Sequence, residues 1–484
     1  MKNGTRFEFV AAALAALLVA ACGGGSGGSG GGDNGGGDPS GGIDRGGITI
    51  ARGPINGFGS VVVNGVHYAT SGATITIDDQ PGAESDLRVG QVVRVEGTVD
   101  AGGTTGTART IRFDDEVEGP VQSIDLANAR LVVLGQTVLV GAGTSFDDSI
   151  MPRGLDGISV GDRVEVSGLV SSSGVIEATR IERTAATGPV EVKGTASAVD
   201  PVARTLFVNQ LRISYATAQL DGFTGGQPAN GDRVEAVGTL DGGGVLVASR
   251  LEKHSSSLSG SSDDDADLEG LVTRFASATD FDVAGQAVTT TAATRYEGGS
   301  AADLALDVNV DVEGGFDSGG RIVAEEIEFR ATSHVELAAP VEAVNTAQSS
   351  LTLLGVTVRT TPLTRFEDHG SLELQRFSLA DLRVGDWVEL RAYSDASGLV
   401  ASLLDRDDAD DGIEVRGPAS AVTPPGLRIA GVSVTTDAQT EFRDSNGVSI
   451  TAATFFAAAP GREVKVRGTQ VGNTVLAERA EIED

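Results

Sequence analysis

The chain has 484 residues, with 36 Lys and Arg against 68 Asp and Glu, a formal net charge of −32, 67 glycines and a single cysteine. So negative a charge excludes nucleic acid and anionic lipid as partners held by phosphate neutralisation. One cysteine excludes an internal disulfide, a thiolate zinc site and a dithiol redox motif. Glycine is abundant, only 4% of residues are aromatic, and short apolar runs alternate with polar residues, which is all-β composition.

The amino terminus reads as a targeting segment. Lys2 and Arg6, with Glu8 as an acidic intrusion, lead into an apolar run over residues 9–21. A helix needs roughly 20 residues to span a bilayer, so this run fits the core of a secretory signal instead. Val19-Ala20-Ala21-Cys22 then looks like the cleavage box of bacterial lipoproteins, with Cys22 as the lipidated first residue of the mature chain. The expected location is a bacterial cell envelope, with the membrane as partner through the lipid. Gly23, where lipoproteins retained at the inner membrane carry Asp, leans toward the outer membrane. Removal of residues 1–21 leaves 34 basic and 67 acidic residues, a net of −33. Residues 23–47 are mostly Gly with Ser, Asp and Asn. They bury too little apolar surface to order themselves and form a tether with a reach of roughly 25–30 Å.

Beyond the tether one short pattern returns six times: GQVVRVEG from Gly90, GDRVEVSG from Gly161, GDRVEAVG from Gly231, DVNVDVEG from Asp307, GDWVELRA from Gly385 and GREVKVRG from Gly461. The starts lie 71, 70, 76, 78 and 76 residues apart. Such a period marks an array of like units. In the second unit strands are predicted at residues 119–124, 130–134, 137–140, 163–170 and 174–183, with a less regular stretch at 141–159. In the first unit Asn64-Gly65 is a hairpin signal, since both residues tolerate positive φ. Equivalent turns are expected at Gly135-Gln136, Asn209-Gln210, Gly285-Gln286, Gly355-Val356 and Gly431-Val432. A closing strand starts with Ala108, Ala178, Ala248, Ala324, Ala401 and Ala477. Three strands, a longer connection and two strands fit a five-stranded barrel of the oligonucleotide/oligosaccharide-binding (OB) type, with a small sandwich as the alternative. The expected units are 48–116, 117–187, 188–256, 267–333, 334–409 and 410–484. An acidic Ser/Asp linker at 257–266 divides them into two triplets, and residues 405–411 form a second polar junction.

Gly57-Phe58-Gly59-Ser60-Val61-Val62-Val63-Asn64-Gly65-Val66-His67-Tyr68, followed by Leu87 to Gly97 (LRVGQVVRVEG), resembles a bacterial repeat family catalogued only as a domain of unknown function. Its members are often exported lipoproteins with several copies. The resemblance brings no activity or site residues. Asn209-Gln210 in the third unit and Asp307 in the fourth depart from the pattern.

Catalytic constellations are absent from the sequence. His67, His254, His334 and His369 are scattered and read as surface or turn residues. There is no nucleophile elbow and no phosphate-binding glycine loop. Asp114-Asp115-Glu116 and Asp147-Asp148 are acidic, but neighbours on a strand face opposite ways and pair poorly for glycoside chemistry. Asp263, Asp264 and Asp265, with Asp407, Asp408 and Asp410, are the calcium candidates, although neither segment has the spacing of a calcium loop. No cofactor is expected. Phe58, Tyr68, Phe207, Tyr215 and Trp387 are the aromatic candidates for contact with a ligand, and envelope polymers or proteins are the candidate partners. The leading expectation is a lipid-anchored, non-catalytic spacer or binding module. An enzyme acting on envelope polysaccharide and an assembly partner of a membrane complex are the alternatives.

Overall fold

A computed structural model describes residues 48–255, 257–408 and 412–483. Cys22, the tether and Asp410 lie outside the described residues. The contacts of the chain divide it at Gly41/Gly42, and the described residues all lie in the second unit.

Each repeat folds into a small barrel. In barrel 1 the five strands are Thr49–Gly57, Val61–Val63, Val66–Ala69, Val92–Val99 and Thr105–Phe113. The first pairs with the second, the second with the third, the third in parallel with the fifth, the fifth with the fourth, and the fourth back to the first. The ring is therefore closed in the order 1-2-3-5-4, as expected for a small OB-like Greek-key barrel. Barrels 2 (residues 117–183), 3 (190–253), 4 (265–329) and 6 (413–483) close by the same ring of pairings. In barrel 5 (335–407) the first strand is split into Val335–Pro340 and Ala343–Asn345. One α-helix, Ala452–Ala458, fills the third-to-fourth connection of barrel 6; Thr451 caps it and Phe455 and Phe456 pack on Phe442.

The recurring pattern is the fourth strand with its entrance. Its first position has positive φ in all six copies: +86° at Gly90, +96° at Gly161, +90° at Gly231, +64° at Asp307, +94° at Gly385 and +74° at Gly461. That geometry lets the residue donate its N–H to the first strand, to Ile55, Val121, Ala196, Val272, Val341 and Ala419 in turn, at 2.8–2.9 Å. Asp follows the glycine in three copies because its carboxylate accepts the N–H three residues back, as Asp162 does from Ser159, Asp232 from Ala229 and Asp386 from Arg383. The last position sits at a β-bulge against the fifth strand in every barrel. A Cβ on Gly97, Gly168, Gly238, Gly314 or Gly468 would run into the facing strand's carbonyl oxygen. Barrel 5 carries Ala392 there.

Asn64-Gly65 and Asn209-Gln210 form turns where expected, and the other four hairpin turns fall one residue earlier than the spacing suggests. Leu134-Gly135, Ala284-Gly285, Leu354-Gly355 and Ala430-Gly431 all have positive φ, like Asn64-Gly65. The glycine is the second turn residue, and the residue before it is driven into the left-handed region.

The barrels are not a string of beads. Barrels 1 and 4 share a sheet through parallel pairing of Thr49–Gly57 with Asp265–Ser277, barrels 2 and 3 through their first strands, and barrels 5 and 6 likewise. One apolar core runs through barrels 2 and 3 and another through 5 and 6. Two expectations are thereby corrected. The 257–266 segment does not divide two triplets, because barrel 4 pairs with barrel 1 across it. Its last residues belong to a strand: Asp265 is buried opposite Thr49. At the second junction the fifth strand of barrel 5, Gly398–Asp407, runs on through Asp405 and Asp407.

Candidate functional site

Alternate residues of a barrel strand face outward. In barrel 2 Val164 and Val166 are buried inside, so Glu165 points out. Barrels 2 and 3 then meet edge to edge, and a row of carboxylates forms: Glu182 faces Glu165, Glu165 faces Glu118, and Glu118 faces Glu191. Like charges directly opposed are destabilising. Burial, followed by the charges of Glu182, Asp78 and Glu118, pushes the Glu165 carboxyl up to about 8.

Lys193 ends this row. Its Nζ donates to the Asp115 carbonyl at 2.7 Å, to Asp115 Oδ1 at 3.2 Å and to Glu191 Oε1 at 2.5 Å, with Glu235 Oε2 at 3.8 Å. Burial works against the ammonium, but Asp115, Glu191 and Glu235 outweigh it and hold the group well above the usual lysine range. Burial pushes the Asp115 carboxyl well up and the Asp78 carboxyl up to about 6. Glu235 resists its burial: the imidazole of His254, 3.7 Å away, and the charges of Lys193 and Arg250 hold it at about 2. Beside it Glu116 lies between Arg233, at 2.6 Å, and Arg52, at 3.8 Å.

Two cavities, of about 320 and 410 Å³, meet at this cluster, and Arg52, Lys193 and Arg233 line both. The first is walled by the fourth strand of barrel 1 and the end of barrel 3. The second runs between the Ser171-Ser172-Ser173 turn of barrel 2, Asn209 of barrel 3 and Thr273 of barrel 4. Asp79, Glu235 and Glu252 bring carboxylate oxygens within 4.8 Å of one another, close enough to share a cation. The Arg250 guanidinium already binds all three, with Asp79 at 2.7 Å and Glu252 at 3.3 Å.

A second seam joins barrels 2 and 5. His369 Nδ1 meets Asp405 at 2.6 Å, and its Nε2 meets Asp148 of barrel 2 at 3.2 Å and Glu367 at 3.6 Å. Ser145 of barrel 2 donates to Glu367, and Arg153 reaches Asp405 and Asp407. Burial lowers the imidazole's proton affinity, but Asp405 and Glu367 more than reverse this and hold it above the ordinary histidine value. His369 is thus no surface or turn residue; its side chain is 9% exposed.

The residues singled out from sequence fall elsewhere. Phe58, Tyr68, Tyr215 and Trp387 are buried in barrel cores, and Phe207 is half-buried. The Tyr68 hydroxyl, without a partner, lies toward the buried carboxylates Asp267 and Asp311 between barrels 1 and 4. Of the acidic candidates Asp263 is exposed, and Asp264 accepts from Ile48 N at 3.0 Å. Asp265 is buried, Asp407 pairs with Arg153, and Asp408 is exposed. Sequence reasoning passed over Arg52, Lys193, Arg233 and Glu235. Two of them, Arg233 and Glu235, sit at the polar positions of the recurring strand, and the rarity of lysine was the signal available for Lys193.

A family model described as a domain of unknown function (DUF5666) matches the chain six times, at residues 49–112, 118–182, 193–252, 269–328, 339–404 and 416–481. No curated protein matches the chain. Among the described residues no helix is long and apolar enough to cross a membrane.

Proposed function

This chain belongs to the DUF5666 family, and on that premise we propose that it is a lipid-anchored protein of the bacterial cell envelope whose barrels form a non-catalytic binding body. The anchor rests on the Ala20-Ala21-Cys22 box and the glycine-rich stretch after it. The binding reading rests on one observation: four barrels converge on a polar cleft whose charged side chains are engaged with one another in ion pairs. Groups held this way present a fixed charge pattern to a ligand, whereas a general acid or base needs freedom to exchange its proton during turnover. The candidate partners are envelope polymers or envelope proteins.

Two measurements test this. Fractionation of cells with metabolic fatty-acid labelling should find the protein in membranes, with the label lost in Cys22→Ala; a soluble, unlabelled wild type would overturn the anchor. Binding to arrays of envelope polysaccharides and envelope proteins should be saturable; a uniformly blank array would overturn the binding body.

A further inference from the structure

The cleft at Lys193 gathers cations in an otherwise acidic molecule, most of them already paired with carboxylates around its wall. Acids outnumber bases almost two to one in the chain, at 68 to 36. The smaller cavity is nevertheless lined by six cations, Arg52, Arg94, Arg112, Lys193, Arg233 and Lys253, against three carboxylates, Asp114, Glu116 and Glu252. Three of those arginines also carry a buried N–H without a partner: Nη1 of Arg52, Nε of Arg94 and Nε of Arg233. Buried donors are normally satisfied, and a shared lining with several unsatisfied ones points to an acceptor. Burial depresses the proton affinity of Arg52, with Glu116 opposing the shift and Arg233 adding to it. The adjoining cavity differs in character. Hydroxyl and amide groups of Ser171, Ser172, Ser173, Thr195, Asn209 and Thr273 line it. Together the two have the size of a small-ligand pocket, about 300–1,000 Å³.

We propose that this cleft binds a small hydroxylated oxyanion, a sugar carrying a carboxylate or phosphate. Its charged group is held by Arg52, Arg94 and Arg233, and its hydroxyls lie along the Ser171–Asn209 side. Planar guanidinium forks suit both oxyanions. The assignment rests on the binding-body reading and gives it a ligand class.

The test is calorimetric titration of the whole protein at low ionic strength with D-glucuronate, glucose 6-phosphate, inorganic phosphate and glucose. At least one sugar anion should bind tenfold or more tighter than glucose and than inorganic phosphate, and should raise the melting temperature. Arg233→Gln, and Arg94→Gln as the more exposed and milder change, should each weaken that binding about tenfold or more. Arg443→Gln, in barrel 6 and outside both cavities, should leave it unchanged. Equal binding of glucose, equal binding of bare phosphate, unaltered affinity in folded Arg94→Gln, or no binding of either sugar anion would each overturn the assignment. A flat titration beside a positive polymer array removes this cleft and leaves the binding body standing; blank results in both remove both.

Discussion

Lys193 shows most clearly how a single charge is handled in this molecule. Its side chain is 2% exposed and serves carboxylates from the barrel 1–2 connection and from two strands of barrel 3. Lys193→Met should cost about 3–5 kcal/mol, because it strands buried acids without their cation. Lys253→Met, whose ammonium meets Asp232 on the surface, should cost less than about 1 kcal/mol. Urea denaturation of the two variants checks this, and equal losses would contradict it. Glu165 supplies the pH counterpart. Its folded-state affinity for a proton, near 8, exceeds that of an exposed glutamate, so the protonated form favours folding. Its contribution is complete below the ordinary glutamate range and disappears as pH rises toward 8. Glu165→Gln should therefore flatten the fall of the urea midpoint between pH 5 and 8. An unchanged slope in the variant would show that Glu165 does not titrate there.

At the scale of one element, the fourth strand explains why its pattern recurs. Its first position needs positive φ, and in five of the six copies its last has no room for a Cβ beside a neighbouring carbonyl. Gly238→Ala should cost about 1–3 kcal/mol from forced overpacking. Ala392→Gly in barrel 5, where the local backbone already accommodates a methyl, should cost less than about 1 kcal/mol. Thermal denaturation of both variants checks the contrast, and a larger loss at 392 would contradict it. This element also marks how far the sequence could be read. The glycine spacing, the Val-x-Val alternation and the closing-strand alanines gave the repeat, the strand order and the barrel, because each depends on contacts within about 70 residues. Four of the six turns were misplaced by one residue because Leu134, Ala284, Leu354 and Ala430 are not residues that advertise a left-handed conformation. The site was hidden for a different reason. Glu165, Arg233 and Glu235 alternate with core valines or alanines, which marks them as outward-facing, and outward-facing charge ordinarily means water. Whether another barrel covers that face depends on contacts between distant repeats, such as Asn64 with Asp267 or Ser145 with Glu367.

The whole molecule is held by these covered faces. Barrels near the lower size limit for an independent core gain from pairing, 2 with 3 and 5 with 6 by a fused core and 1 with 4 by a shared sheet. Polar seams then join the pairs: Val92 N to Ser167 Oγ at 2.8 Å between barrels 1 and 2, Ser172 N to Asp307 at 2.6 Å between 2 and 4, and the His369 group between 2 and 5. The imidazolium of His369 is favoured in the folded seam, with Asp148, Glu367 and Asp405 around it and Arg153 opposing. Its contribution is present below the ordinary histidine value and lost as pH rises through the higher folded value. Limited proteolysis between barrels 2 and 5 should accordingly quicken from pH 6 to pH 9 in the wild type and be fast at both in His369→Gln. Cleavage independent of pH in the wild type would remove the histidine from the seam.

The central claim is that six copies of one barrel are locked into a body and do not swing as a chain of beads. Amide hydrogen exchange on the intact protein tests it most directly, at the Asp265 N–H, which donates to Ile48 O at 3.0 Å, and the Lys193 N–H, which donates to Glu116 O at 2.9 Å. Both amides should exchange as slowly as those inside the barrels, since each is buried in a seam. Rapid exchange at both, with the barrel interiors still protected, would contradict the account.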